Sequence, residues 1–280
     1  MKVVGKGNAN ILIDFGDAEY LYRCLVRYES LKMNNDCTRE NFGYINDVVR
    51  KSLGSYVCEM ELLEIPLTDF ELLLKELSIQ IDDTSLVVLK IINLKSKDYT
   101  NTLKDDHCTK IFADETATKI LLEIKPKWLH YSTDYCRNCT HNTYKNRGIN
   151  YCYSKLLKQK DHIYDILNPP ESLPIEFLND IVLYLEDEKN FLQLLYSLQE
   201  HLHSETTHLS NIDSEDKVTK DLLLLMTLRD VTCFLEWHSL NRGKFSVNII
   251  DVDLKPKHKW KHWSSTHEAL EFYNPKCYHK

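Results

Sequence analysis

Residues 222–256, LLLLMTLRDVTCFLEWHSLNRGKFSVNIIDVDLKP, contain two long apolar segments, Leu222–Trp237 and Lys244–Leu254, joined by Ser239-Leu240-Asn241-Arg242-Gly243. A short polar link ending in glycine between two such runs is a hairpin signal. Carboxylates punctuate the pattern: Asp230 follows Leu228-Arg229, and Asp251 lies in Ile250-Asp251-Val252-Asp253-Leu254-Lys255-Pro256. A buried carboxylate is costly unless it is paired, hydrogen-bonded or metal-bound, so two acidic strand ends on one hairpin need an explanation. Phosphoryl transfer supplies one: an Asp to accept the proton of the attacking hydroxyl, an Asp to hold Mg²⁺, and cations for the charge in transit. The spacing equally allows a plain ion pair between Asp230 and Arg229 or another cation.

Working outward, Pro174–Leu185 and Lys189–His203 read as helices, and Ser204–Lys217 as a polar linker. Tyr135–Tyr153, rich in Cys, Asn, Tyr and basic residues, has no clear period and reads as an irregular, ligand-facing segment. Val3–Gly5, Asn10–Phe15 and Tyr20–Arg27 read as a β-meander with glycines at its turns. Thr38 and Asn41 offer caps for a helix over Phe42–Leu53, and Leu67–Ile79 carries a second helical period. Ser85–Leu94 and Lys119–Lys127 read as strands. The polar stretch Lys95–Ala117 between them reads as a loop, of a length that marks function or disorder. The result is an α+β chain of two lobes divided near Lys127–Thr140.

Three further motifs carry charge or thiols. Gly5-Lys6-Gly7-Asn8-Ala9-Asn10 lies between strands, unlike the helix-opening glycines of dinucleotide folds, and suits a lid over phosphates or an ordinary β-turn. In Glu123-Ile124-Lys125-Pro126-Lys127-Trp128 a proline ends strand pairing, leaving Lys125 and Lys127 as a two-point phosphate clamp, unless the proline re-aims one, or as a solvated strand end. Cys136-Arg137-Asn138-Cys139-Thr140-His141 holds a C-x₂-C with a nearby histidine, and Cys152 or His130 could complete four zinc ligands. A second C-x₂-C or an H-x₃₋₅-H pair is lacking, so thiols beside a basic loop are the default.

Composition narrows the class. Nine cysteines in a 280-residue chain are an odd number and fit a reducing compartment better than a disulfide framework. A net charge of -7 argues against a general nucleic-acid binder, while local lysines can still dominate a small polyanion's surroundings because screening acts over about 8 Å. The N-terminus has no secretory pattern, and the run Leu222–Met226 is far below membrane-span length, so a soluble protein is expected.

In order, Gly5–Asn10, Glu123–Trp128, Cys136–His141, Leu225–Asp230 and Ile250–Pro256 resemble the signature of the inositol-pentakisphosphate 2-kinases, the short fungal members above all. The resemblance runs from Val4 to Trp263. It implies an α+β, two-lobed kinase-like fold with the nucleotide cleft between an N-terminal lobe, residues 1–128, and a larger C-terminal lobe, residues 129–280. It implies transfer of the γ-phosphate of ATP to the 2-hydroxyl of inositol 1,3,4,5,6-pentakisphosphate, giving phytic acid. By matching motifs Asp230 is the general base and Asp251 the Mg²⁺ ligand. The same matching implies that Gly5, Lys6, Gly7, Asn8, Ala9, Asn10 and Arg23 contact nucleotide phosphates, and that Lys125, Lys127, His141, Lys145, Asn190, Lys255 and Lys259 contact the inositol phosphate. The family's Asn-x-x-Arg is matched by Asn190 and Gln193, of which Gln193 lacks the charge. The zinc cluster of plant members is not transferred, since residues 200–240 hold only Cys233.

The same resemblance implies a monomer in the nucleus with ATP and the inositol phosphate as partners, and the charge and apolar run length argue against nucleic acid and membrane as further ones. A substrate of such charge is expected to draw segments such as Lys95–Ala117 inward. The rival readings are a non-catalytic inositol-phosphate scaffold, which needs the lysines but not both aspartates, a zinc-stabilised interaction module, and a kinase of the same fold with another inositol phosphate as substrate.

Overall fold

In the computed structural model, which describes residues 1–206 and 209–278, β1 (Lys2–Lys6), β2 (Asn10–Asp14) and β3 (Tyr20–Leu25) form the expected antiparallel meander. The helix that follows differs from the reading. α1 (Leu31–Tyr44) begins eleven residues before Phe42, capped by Ser30, whose side chain accepts from Met33 N. Asp82 fixes this start by accepting from Ser30 Oγ at 2.7 Å and Lys32 N at 2.8 Å. Thr38 lies mid-helix, its hydroxyl donating back to Asn34 O. A single π-type turn, Ile45–Val49, carries the helix into α2 (Arg50–Leu53).

β4 (Met60–Pro66) was not foreseen, and α3 (Glu71–Glu76) is shorter than Leu67–Ile79 because a tight turn over Leu67–Asp69 precedes it and Ser78 adopts left-handed backbone. β5 (Ser85–Ile92) then inserts between β3 and β4, giving the order β1-β2-β3-β5-β4, all antiparallel. Alternate residues Ile11, Ile13, Leu86 and Val88 face one core with Phe70 and Leu74.

The second sheet has the order β10-β9-β8-β7-β6 and is likewise antiparallel. Its edge overturns the loop expected over Lys95–Ala117: β6 (Asn101–Asp105) and β7 (Thr109–Ala113) form a hairpin. Asp106 closes the turn by accepting from Cys108 N and Thr109 N, and Ile111, Phe112 and Ala113 are buried. β8 (Lys119–Ile124) follows, paired with β7 on one side. Tyr135–Tyr153 is not wholly irregular either, because it contains α4 (Arg137–Tyr144), whose polar residues mask the period. Next come α5 (Tyr153–Leu156), α6 (His162–Leu167), α7 (Ile175–Glu186) and α8 (Phe191–Glu205), the last two as expected.

The stretch 222–256 divides into helix and hairpin. α9 (Lys220–Leu228) is capped by Thr219 and buries every residue from Leu222 to Leu228, so it shows no polar face that would have betrayed a helix. β9 (Thr232–His238) and β10 (Phe245–Ile250) form the foreseen hairpin, with Trp237 opposite Phe245 and Thr232 opposite Ile250. Asp180 of α7 clasps its turn, accepting from Trp237 Nε1 at 2.8 Å, Arg242 Nε at 2.7 Å and Gly243 N at 2.9 Å. β9 also pairs with β8, which sets the two motif-bearing strand ends, Ile124 and Cys233, side by side. α10 (Trp260–Phe272) ends the described fold.

The chain is therefore mixed α and β with two antiparallel sheets. By packing, residues 1–51 with 57–97 form one compact unit, and residues 52–56 with 98–280 form another. No helix among the described residues is long and apolar enough to cross a membrane.

Candidate active site

Strand β8 ends at Ile124, where Pro126 can donate no ladder hydrogen bond, and the chain turns at Lys127 through left-handed backbone, φ 58°. Such backbone is strained for a residue with a Cβ and persists only where its surroundings hold it. Gln199 of α8 is the clamp. Fully buried, it donates from Nε2 to Lys127 O at 3.0 Å and Leu228 O at 3.1 Å, and accepts at Oε1 from Leu129 N and His130 N. One amide thus satisfies four backbone groups and locks the Lys127 turn to the end of α9. Asn138 adds a second clasp, accepting from Trp128 N and donating to Trp128 O and Pro126 O.

Across this junction the Asp230 carboxylate lies between two ammonium groups, Lys127 Nζ at 2.8 Å from Oδ1 and Lys255 Nζ at 2.8 Å from Oδ2. Desolvation opposes ionisation of Asp230, but Lys255 and Lys127 outweigh it and hold the carboxyl well below the usual range. Asp230 is therefore ion-paired, and with these lysines rather than with Arg229. Thr227 donates to Asp253 O at 3.0 Å, binding the end of α9 to the segment that follows β10. In that segment Asp251 also has left-handed backbone, φ 60°, and its Oδ2 accepts from Thr232 Oγ1 at 2.6 Å.

Arg229 points elsewhere. It is 2 % exposed and stacks on the Trp128 ring at 3.5 Å, with Arg137 on the same ring at 3.9 Å. Nε and Nη2 of Arg229 and Nε and Nη1 of Arg137 have no hydrogen-bond partner among the described residues, although all four are buried. Burial lowers the pKa of both guanidinium groups. Cation–π stacking on an indole offsets part of that desolvation. A small cavity of about 20 Å³ opens against this stack, lined also by His203, Leu225 and His267.

Further positive charge gathers along α4 and its exit. His141 is driven down to about 4, first by burial and then by Arg147, Arg137, Lys145 and Lys127. His107 is lowered for the same reasons, with Lys125 and Lys127 among its neighbours. The two histidines act as internal probes: each senses several cations at once, the field a small polyanion requires.

A family model described as inositol-pentakisphosphate 2-kinase matches residues 4–165 and 155–269. Proteins of that name from Saccharomyces cerevisiae, Candida glabrata and Eremothecium gossypii are 42%, 41% and 36% identical over 280, 271 and 285 residues. The alignments cover 100%, 96% and 100% of this chain, and 99%, 96% and 100% of those proteins. The chain belongs to the inositol-pentakisphosphate 2-kinase family.

Of the residues matched to this family's motifs, Lys127, Asp230 and Lys255 meet directly, and Lys125, His141 and Lys145 share the cationic field around them. Asp251 stands one residue beyond β10, and Lys259 is exposed at the start of α10. Asn190, expected among the substrate contacts, has another task. It is a buried cap of α8 whose oxygen accepts from Leu192 N and Gln193 N and whose NH₂ donates to Leu185 O and Asp187 O, so its amide is fully engaged. Gly5–Asn10 and Arg23 lie in the first unit. There Gly7 N donates to Asn10 O in a tight turn, and a Cβ at Gly5 would press on Leu12 at 3.3 Å.

The roles of Gln199, Trp128, Arg229 and Arg137 were not read from the sequence, where Arg229 figured only as an alternative ion-pair partner of Asp230. Arg137 alone carried a signal, since Arg137, His141 and Lys145 are spaced four residues apart and so lie on one face of α4. The partners of Gln199 are backbone atoms 29 to 72 residues away, which no local pattern reports.

Proposed function

We propose that the chain transfers the γ-phosphate of ATP to the 2-hydroxyl of inositol 1,3,4,5,6-pentakisphosphate, with Asp230 as the general base, in a two-lobed kinase-like fold. The observation that carries the reading is Asp230 held between Lys127 and Lys255 at 2.8 Å each, in a chain of this family. A carboxylate so strongly ionised is a weak base until its partners are drawn off. Substrate phosphates compete for the same two ammonium groups, and as they engage, the Asp230 carboxyl rises toward the range where it can take a hydroxyl proton. That proton passes to Asp230 as the inositol oxygen bonds to the γ-phosphorus and the bridging bond to ADP breaks.

Lys125, His141 and Lys145, with Lys259, then contribute to binding the remaining phosphates, and Gly5–Asn10 with Arg23 to binding the nucleotide. The donors at the end of β10 suit a hard divalent cation: carboxylate oxygens on an exposed Asp251, one of them oriented by Thr232. Mg²⁺ held by Asp251 would offset charge on the nucleotide phosphates.

ATP-dependent conversion of the pentakisphosphate to the hexakisphosphate, followed by anion-exchange chromatography, tests the reading. Wild type is expected to turn over and Asp230→Asn to lose activity by about 10²–10⁴-fold with substrate binding retained. Binding without turnover by wild type would replace the kinase with a scaffold.

A further inference from the structure

The fold buries two positive charges without providing a negative one. Arg137, at the start of α4, and Arg229, just past the end of α9, are 6 % and 2 % exposed and stack on the same Trp128 indole. Two nitrogens of each guanidinium have no hydrogen-bond partner among the described residues. A third, Arg229 Nη1, has only the Met226 thioether sulfur at 4.0 Å, a weak acceptor. The carboxylates of adjoining elements are engaged elsewhere: Asp230 with Lys127 and Lys255, Glu200 with His130, and Glu271 with His267.

An arginine does not escape burial by losing its proton, because guanidinium stays charged throughout the range in which proteins fold. Stacking on an indole recovers part of the desolvation cost, but two cations on one ring share a single quadrupole and repel each other. Water would satisfy the N–H groups and leave both charges uncompensated. The cavity against this stack is lined by both arginines together with Leu222 and Leu225. At about 20 Å³ it has room for one water-sized species and not for a phosphate group. Its apolar wall keeps the local dielectric low, where a counter-charge acts most strongly.

We propose that the cavity bordered by Trp128, Arg137 and Arg229 is a binding site for one monatomic anion, chloride, which serves as counter-ion to the two guanidinium groups. The site stands directly behind the reacting residues, since Trp128 follows Lys127 and Arg229 precedes Asp230 in the chain. Chloride there relieves the repulsion between the start of α4 and the end of α9 without touching substrate.

Thermal unfolding of the full-length protein, with chloride replacing gluconate at constant ionic strength, reads the site in solution. Wild-type Tm is expected to rise by about 2–5 °C for each tenfold increase in chloride above half-saturation. Crystals soaked in bromide are expected to show one anomalous peak against Arg137 and Arg229. Arg137→Met, which removes one of the two charges, should lose most of the chloride response, and Arg39→Met, at an exposed arginine paired with Glu64, should keep it. Equal wild-type Tm in the two anions overturns the site and leaves water in the cavity. Absence of the bromide peak overturns it as well, and so does an undiminished chloride response in Arg137→Met, which would place the anion elsewhere. The two wild-type measurements decide the matter even where Arg137→Met fails to fold.

Discussion

Lys127 Nζ and Asp230 Oδ1 meet at 2.8 Å across 103 residues of sequence, and the lysine reaches that point from left-handed backbone. The geometry depends on what holds the Lys127 turn, and that is Gln199. Gln199→Leu would remove the partner of two N–H groups and two carbonyls, of which Leu129 N and Leu228 O are buried and His130 N and Lys127 O part-buried. The expected cost is about 2–4 kcal/mol, which lowers Tm by roughly 5–12 °C in a domain of this size. Because Leu228 O is released along with Lys127 O, kcat is expected to fall more than KM rises. A variant with wild-type Tm and kcat would show that the turn is held without Gln199.

Asp251 separates backbone from chemistry in a single residue. Asn tolerates left-handed backbone better than other branched or bulky side chains, so Asp251→Asn is expected to keep wild-type thermal stability while losing the charge that would hold Mg²⁺. The expected outcome is an unchanged Tm with kcat reduced at least about 100-fold. Thr232→Val, which removes the hydrogen bond to Asp251 Oδ2, should instead raise the Mg²⁺ concentration needed for half-maximal rate. Full activity of Asp251→Asn would move the cation to another ligand.

How much of this was legible beforehand depends on where each partner lies. The β9–β10 hairpin was readable because its glycine turn and flanking apolar residues are local. The β6–β7 hairpin was not: its strands are polar on the outer face, and the turn depends on one side chain, Asp106, accepting two N–H bonds. α9 looked like strand because a helix buried on every side has no amphipathic period. The motif lysines and aspartates were found by type and order, but their pairing was not, since Asp230 could as well have bonded Arg229, its neighbour in sequence. Asn190 shows the converse, a matched motif position whose side-chain amide is engaged in capping a helix.

Asp180 gives a stability prediction far from the lysines. Its buried carboxylate is held well below the usual range by Arg242, Trp237 and Gly243 against the opposing effect of burial. A carboxyl with a folded pKa below its unfolded value stabilises the protein above about pH 4 and loses that contribution as pH falls through the folded value. Asp180→Ala leaves the indole N–H of Trp237 buried without its acceptor and is expected to cost about 2–4 kcal/mol at pH 7. The deficit should shrink in denaturant titrations as pH is lowered from 5 to about 2.5. An equal deficit at every pH would assign the loss to packing.

His141 reports on the substrate itself. In the ligand-free protein it is neutral at pH 7, with its pKa driven down to about 4 by burial and then by Arg147, Arg137, Lys145 and Lys127. A histidine with a folded value below its unfolded value of about 6.5 stabilises the fold above pH 6.5 and loses that contribution as pH falls toward 4. A polyphosphate neutralising those four cations removes most of the electrostatic part of the shift, so binding is expected to raise the pKa and to take up protons between about pH 4 and the bound value. Two-dimensional NMR of the imidazole carbons, with His141→Gln for assignment, reads both values directly. The expected result is titration near 4 in the free protein and an upward move of at least about one unit with the inositol phosphate bound. If the resonance titrates at the same pH with and without ligand, the polyanion sits away from α4, and Lys145 and His141 leave the list of its contacts.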